Sequence, residues 1–188
     1  MTAGSILRNA RLAAGVTQAE LAASSHQHQP AISRIEREGG ASFNTLERLL
    51  GNLGLRVIAV PIDRPTVVDI AAELRQRVAT GKPTSRLLAE AANILVEADP
   101  RDLPLLVAAA PAPTGDSRLD AYLAALVDHV CGDAAPRWTD ESGRTLTEPW
   151  VRNPFPHNAV IDQHIRASTP PAFARHGVYV DAADLASV

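Results

Sequence analysis

Apolar residues recur three and four positions apart along the first quarter of the chain, which is the spacing that lines one face of an α-helix. Polar residues 24–28 interrupt this pattern and predict a turn there. The pattern therefore predicts four short helices: one from Ser5 to Ala14, one capped by Thr17, one beginning at Pro30 and one from Asn44 to Leu53.

Local signals support these helix ends. Thr17 is followed three residues later by Glu20, which is the spacing of a capping box. Pro30 suits the first position of a helix, because its missing N–H would be unpaired there. Ser42 can cap the fourth helix, and Gly54 can end it. In the third helix Ile32 and Ile35 face inward, which leaves four residues on its other faces: Gln29, Ser33, Arg34 and Arg37.

Residues 55–60 predict a short β-strand that ends at Pro61. A lone strand needs a partner for its backbone groups. The same strand of a second protomer is one option, and a distant strand of this chain, with residues 178–180 as the best candidate, is the other. We favour the pairing between two chains.

Beyond a linker at 61–66 the pattern predicts a mainly helical, Pro-rich domain over residues 67–188, with a further boundary near 111–115. The segment has aromatic residues scattered between its prolines, namely Trp138, Trp150, Phe155 and Phe173. They are expected to pack it onto its neighbours, and an exposed site for a partner is the alternative. The predicted elements are a helix from Val67 through Val78, helices at 85–98, 102–110, 118–131 and 158–167, and a strand at 177–181.

The net charge of −3 is unevenly distributed along the chain. Residues 1–56 hold six Arg and four Glu, for a charge of +2, whereas the remainder holds 12 basic and 17 acidic residues, for −5. A mildly basic head on an acidic body favours nucleic-acid binding at one end. One cysteine, no apolar run of membrane-spanning length and no signal pattern lead us to expect a cytoplasmic protein without a membrane partner.

The sequence does not indicate an enzyme, a metal site or a cofactor. His157 and His164 stand two helical turns apart, too far for one ion, and the pair His26 and His28 lacks further ligands. Lys82, the only lysine, lies in a Gly-Lys-Pro turn and not in the β-rich setting of a self-cleaving repressor. No metallopeptidase motif or phosphate-binding loop is present.

Two runs of residues carry a resemblance to a known family: Gly15-Val16-Thr17-Gln18-x-Glu20-Leu21-Ala22 and Gln29-Pro30-Ala31-Ile32-Ser33-Arg34-Ile35-Glu36. Over about residues 5–58 the chain resembles the helix-turn-helix of Cro/C1-type (XRE) DNA-binding regulators. The expected fold class is therefore mainly α. An N-terminal helix-turn-helix domain of four to five helices spans residues 1–60, including the terminal strand, and precedes the helical C-terminal domain.

The resemblance implies a set of DNA-binding residues. Gln18 would contact phosphate at the start of the second helix, while Gln29, Ser33 and Arg34 would face base edges or the adjacent backbone. The remaining expected contacts come from His28, Arg37, Ser42 and Asn44. For Ser42 and Asn44, a helix cap and a solvated first turn are an equally good interpretation.

The resemblance also implies a structural ion pair between Arg11 and Glu36. The chain departs from the family at the turn, where the family prefers an apolar residue, Gly and Val and this chain has Ser25, His26 and Gln27. A non-glycine residue there must accept a left-handed backbone, which His tolerates better than most residues.

Three functions are compatible with this sequence. The first is a repressor that acts as a homodimer on a pseudo-palindromic operator in double-stranded DNA. The second is an antitoxin whose C-terminal domain binds a toxin or another protein while its N-terminal domain represses their operon. A small-molecule sensor ranks last, because no cluster of convergent polar residues supports a pocket.

Overall fold

The computed structural model describes residues 2–57, 61, 63–155 and 158–185 and is mostly helical. The chain divides into two compact units, Met1–Pro61 and Ile62–Val188, and each has its own hydrophobic core. A mainly α fold is therefore confirmed.

The N-terminal unit packs its helices around a small aliphatic core. Its elements are α1 (Ala3–Ala13), α2 (Gln18–Ser24), α3 (Gln29–Glu38) and α4 (Phe43–Asn52). The core is built from seven buried residues: Leu7, Leu21, Ala22, Ile32, Leu46, Leu49 and Leu50.

Side-chain caps fix where these helices begin. Thr17 and Glu20 form the predicted capping box of α2, and Ser42 caps α4 through the amide of Thr45. The third helix begins at Gln29, so that Pro30 is its second residue and not its first. Pro30 still fits, because the second amide of a helix also has no intrahelical partner.

Helix α1 passes α3 at very close range. A Cβ added to Gly4 would lie 2.2 Å from the Ile35 carbonyl oxygen and 2.8 Å from the Gly39 Cα. Any larger residue at position 4 would therefore push the two helices apart.

The strand predicted at 55–60 is not seen in its described part, because residues 55–57 have no regular secondary structure. Residues 58–60 lie outside the described residues. The distant strand considered as its partner is occupied elsewhere, since β2 (Val178–Tyr179) pairs in parallel with β1 (Trp150–Val151). Residues 150–151 carried no strand prediction, whereas β2 lies within the strand predicted at 177–181.

The C-terminal unit is organised around one long buried helix, α8, in which every residue from Leu119 to Asp128 is buried. Side chains from before and after residues 111–115 pack in the same core as α8. The other helices are α5 (Val67–Ala79), α6 (Ser85–Val96), α7 (Leu103–Val107), α9 (Ala159–Ser168) and α10 (Pro171–Arg175), with short 3-10 helices at Gly132–Ala134, Arg137–Asp140 and Ala182–Leu185.

The aromatic residues of the loop-rich region differ in how deeply they are buried. Trp138 and Phe173 are buried, and the Trp138 indole donates to the Val107 carbonyl oxygen at 2.8 Å. Trp150 is partly buried against the same core. Phe155 is the exception to the expected packing, with 62% of its surface exposed.

A buried polar cluster ties the C-terminal segment to α8. The His176 Nε2 lies 2.7 Å from an Asp128 carboxylate oxygen, and His176 Nδ1 lies 2.7 Å from the Arg144 carbonyl oxygen. Arg175 pairs with the same Asp128 oxygen. Burial alone would raise the pKa of the Asp128 carboxyl, but hydrogen bonds from His176, Thr139 and Arg175 hold that pKa below its ordinary value.

Candidate nucleic-acid interface

The turn between α2 and α3 has the geometry that its unusual residues require. His26 has a φ of 52° and is the one non-glycine residue with a left-handed backbone in the described part of the chain. Ser25 is buried, and its hydroxyl donates to the Leu21 carbonyl oxygen at 2.6 Å. The Gln27 backbone N–H donates to the Ala22 carbonyl oxygen at 2.9 Å. Of these two hydrogen bonds, the one from the Ser25 hydroxyl depends on a residue that departs from the family's turn.

Helix α3 buries one face and presents the other to solvent. Ile32 is fully buried, and Ile35 packs against the same core. Of the residues expected to contact DNA from this region, Ser33 is partly exposed, and four are exposed: His28, Gln29, Arg34 and Arg37. His28 is the N-cap residue of α3, but its side chain makes no capping hydrogen bond.

The ion pair implied by the resemblance is present. The Arg11 guanidinium donates to both carboxylate oxygens of Glu36, at 2.7 and 2.9 Å, and its third nitrogen donates to the Val16 carbonyl oxygen at 2.8 Å. Both charged side chains are largely buried, with 9% and 4% of their surfaces exposed. The Arg11 hydrogen bonds are the main cause that lowers the pKa of the Glu36 carboxyl. This pair fixes α1 against α3.

Two residues predicted to contact DNA separately are joined in the structure. The Gln18 Nε2 donates to Glu36 at 2.9 Å, and the Gln29 Nε2 donates to the Gln18 Oε1 at 3.1 Å. A continuous chain of side chains therefore runs from buried Arg11 to exposed Gln29. The sequence analysis did not predict this link. Its one signal is that Gln18 and Gln29 are the first residues of the two helices of the motif, α2 and α3.

The two remaining predicted residues lie at the start of α4. Ser42 and Asn44 are exposed, and the Ser42 hydroxyl is within 2.8 Å of the Thr45 hydroxyl as well as capping the helix. No hydrogen bond in the described part of the chain joins them to the residues of α3. Their capping role is thus present, and a phosphate contact is an additional expectation.

Other kinds of site are not visible in the residues that the structure describes. Within them no group of three or more His, Cys, Asp or Glu side chains is arranged to hold a metal ion. His157 lies outside the described residues. Among the described helices none is both long and apolar enough to cross a membrane.

Comparison with known families identifies the N-terminal unit. Residues 7–58 match the family described as helix-turn-helix. This part of the chain is similar to the helix-turn-helix of Cro/C1-type (XRE) regulators, a class of DNA-binding transcription regulators. The match ends before the C-terminal unit. No curated protein and no solved structure matches the chain.

Proposed function

We propose that the protein is a sequence-specific repressor that binds double-stranded DNA through α3. The exposed face of α3, with Gln29 anchored through Gln18 and Glu36 to buried Arg11, is the observation that carries this proposal. Side chains that recognise bases must be held in position, and this chain of hydrogen bonds holds Gln29.

The exposed residues divide into two roles. Gln29 and Arg34 recognise base edges, because the Gln amide pairs bidentately with adenine and the Arg guanidinium with guanine. His28 and Ser33 face the adjacent bases or backbone from the same helix. Phosphate contacts that position the domain come from Gln18, Arg37, Ser42 and Asn44.

The proposal includes a homodimer. One α3 helix reads about four to six base pairs, which is too little information for a single operator in a genome. Two N-terminal units bound to a pseudo-palindrome read twice as many base pairs, when the centres of the half-sites lie about one helical turn apart. Light scattering of the protein bound to its own upstream DNA should give two chains per operator, and one chain per operator would contradict the dimer.

The decisive experiment is a titration of the full chain with its own upstream DNA and with random DNA, each at two salt concentrations. We expect saturable binding, a preference for the upstream DNA and a steep salt dependence, since phosphate contacts release counterions. Equal affinity for both DNAs would overturn the proposal of a sequence-specific regulator.

The variant Arg34→Ala tests direct base recognition. We expect it to lose roughly 1–3 kcal/mol of binding free energy at the operator and to relax the preference at one base position. Binding to a set of operators with single base changes measures this effect. An equal loss on every sequence would make Arg34 a phosphate contact instead.

A second candidate function is an antitoxin, and one observation favours it. The acidic C-terminal unit exposes two large apolar side chains near the start of α9, Phe155 at 62% and Val160 at 78%. The double variant Phe155→Asp, Val160→Asp of the full chain should then fail to protect cells from the product of the neighbouring gene, while DNA binding is retained. If that product is harmless, or if the variant protects fully, this candidate is wrong.

A further inference from the structure

Helix α1 carries a second arginine beside the buried ion pair. Arg8 stands one helical turn before Arg11, so the two side chains project from the same side of α1. Arg11 is buried and bound to Glu36 of α3, whereas Arg8 is exposed. Since Gly4 also contacts α3, this side of α1 lies along α3.

Arg8 has no partner of its own among the described residues. No hydrogen bond or ion pair of its guanidinium occurs there, although its positive charge contributes to the lowered pKa of Glu36. That carboxylate is already used, since Arg11 takes both of its oxygens and Gln18 donates to one of them. The Arg8 guanidinium, one helical turn from Arg11 on the side of α1 that lies along α3, thus remains free to bind another anion.

The neighbourhood of Glu36 also holds Gln18, which the proposed function assigns to a DNA phosphate. Arg11 and Gln18 therefore contact the same carboxylate from two different helices, α1 and α2, and Arg8 stands one helical turn before Arg11 on α1. A guanidinium presents several N–H donors and suits phosphate oxygens well.

We propose that Arg8 binds a DNA phosphate and extends the interface from the helix-turn-helix onto α1. This inference rests on the proposed function, since the anion is the DNA backbone. Arg8 contacts no base, so it contributes to affinity for all sequences and not to the choice among them.

The test compares the full-length wild type with Arg8→Ala and Arg8→Lys. The measurement is the slope of log affinity against log salt concentration, for the upstream DNA and for random DNA. Loss of one phosphate contact lowers the magnitude of this slope by about 0.9 in duplex DNA. We expect that change for Arg8→Ala with both DNAs, an unchanged sequence preference and a restored slope for Arg8→Lys.

Arg86→Ala is the matched control, because Arg86 is an exposed arginine of α6 in the other unit, and its loss changes the net charge equally. Its slope should equal that of the wild type. An unchanged slope in Arg8→Ala, or an equal change in Arg86→Ala, overturns the role of Arg8 and leaves the proposed function standing. Failure of the wild type to bind DNA overturns both.

Discussion

His26 shows how one residue can determine whether a turn is tolerated. Its φ of 52° lies in the left-handed region, where side chains other than glycine cost about 1–2 kcal/mol. The resemblance predicted a left-handed residue in this turn, because the family prefers glycine there, and His26 is the residue that adopts it. The carbonyl acceptor of the Ser25 hydroxyl could not be predicted, since it depends on where the α2 backbone ends.

We therefore expect opposite effects from two glycine substitutions in the turn. His26→Gly should stabilise the N-terminal unit by roughly 0.5–1 kcal/mol, because glycine adopts positive φ without strain. Gln27 does not have a left-handed backbone, so Gln27→Gly should destabilise by about 0.4–1 kcal/mol through unfolded-state entropy. Hydrogen exchange of peptides from residues 1–57 measures both, and equal signs would contradict the assignment of strain to His26.

At the scale of elements, the packing of α1 on α3 depends on the missing side chain of Gly4. Gly4→Ala should destabilise the N-terminal unit by roughly 1–3 kcal/mol, because the new Cβ would overlap the Ile35 carbonyl oxygen. Gly51 in α4 has open space around it, so Gly51→Ala should stabilise by up to about 1 kcal/mol through helix propensity. The opening free energies of α1, α3 and α4, again from hydrogen exchange, decide between the two signs.

Helices of the N-terminal unit were predictable to within a few residues because each starts with a signal of its own, such as Thr17 with Glu20. In the other unit the prediction included β2, within the strand predicted at 177–181, and α7, within the helix predicted at 102–110, but β1 and α10 were not predicted. The β1–β2 pair joins residues 150–151 to residues 178–179, and α10 has five residues that begin with proline. Such elements form because tertiary contacts hold them, and a single local pattern does not encode those contacts.

For the candidate site, the residues could be predicted but some of their contacts could not. Its residues were predicted from the resemblance and from helix periodicity. The resemblance also predicted the Arg11–Glu36 ion pair, which is present. The Gln18–Gln29 contact and the approach of Gly4 to Ile35 need the relative placement of two helices. The His176–Asp128 contact joins positions 48 residues apart, so no local pattern in the sequence predicts it.

For the whole molecule, Asp128 makes the C-terminal unit sensitive to acid. Its folded-state pKa is lowered, so the unfolded chain takes up its proton first as the pH falls. The stabilisation is complete at pH values above the pKa of Asp128 in the unfolded chain, about 3.9. It is lost as the pH falls from there through the lower folded-state pKa. Urea unfolding followed by tryptophan fluorescence reports on this unit, because both tryptophans lie in it.

Asp128→Asn should remove that part of the acid dependence and lower the stability near pH 7 by roughly 1–3 kcal/mol, since buried His176 loses its charged hydrogen-bond acceptor. Asp133→Asn is the control, because Asp133 is exposed and makes no side-chain hydrogen bond in the described part of the chain. Its acid dependence should match the wild type. If the free energy of unfolding of Asp128→Asn fell with decreasing pH as steeply as that of the wild type, Asp128 would not be a source of the acid sensitivity.

The chain of contacts from Arg11 to Gln29 also has a direction. The Glu36 carboxylate can only accept, so the Gln18 amide must turn its NH2 group inward and its oxygen toward Gln29. Gln29 must then turn its own NH2 group toward Gln18, which leaves its oxygen and one N–H for a ligand. A buried negative charge thereby fixes which way round an exposed amide presents donor and acceptor, and the two ends of adenine's major-groove edge are distinguished by that polarity.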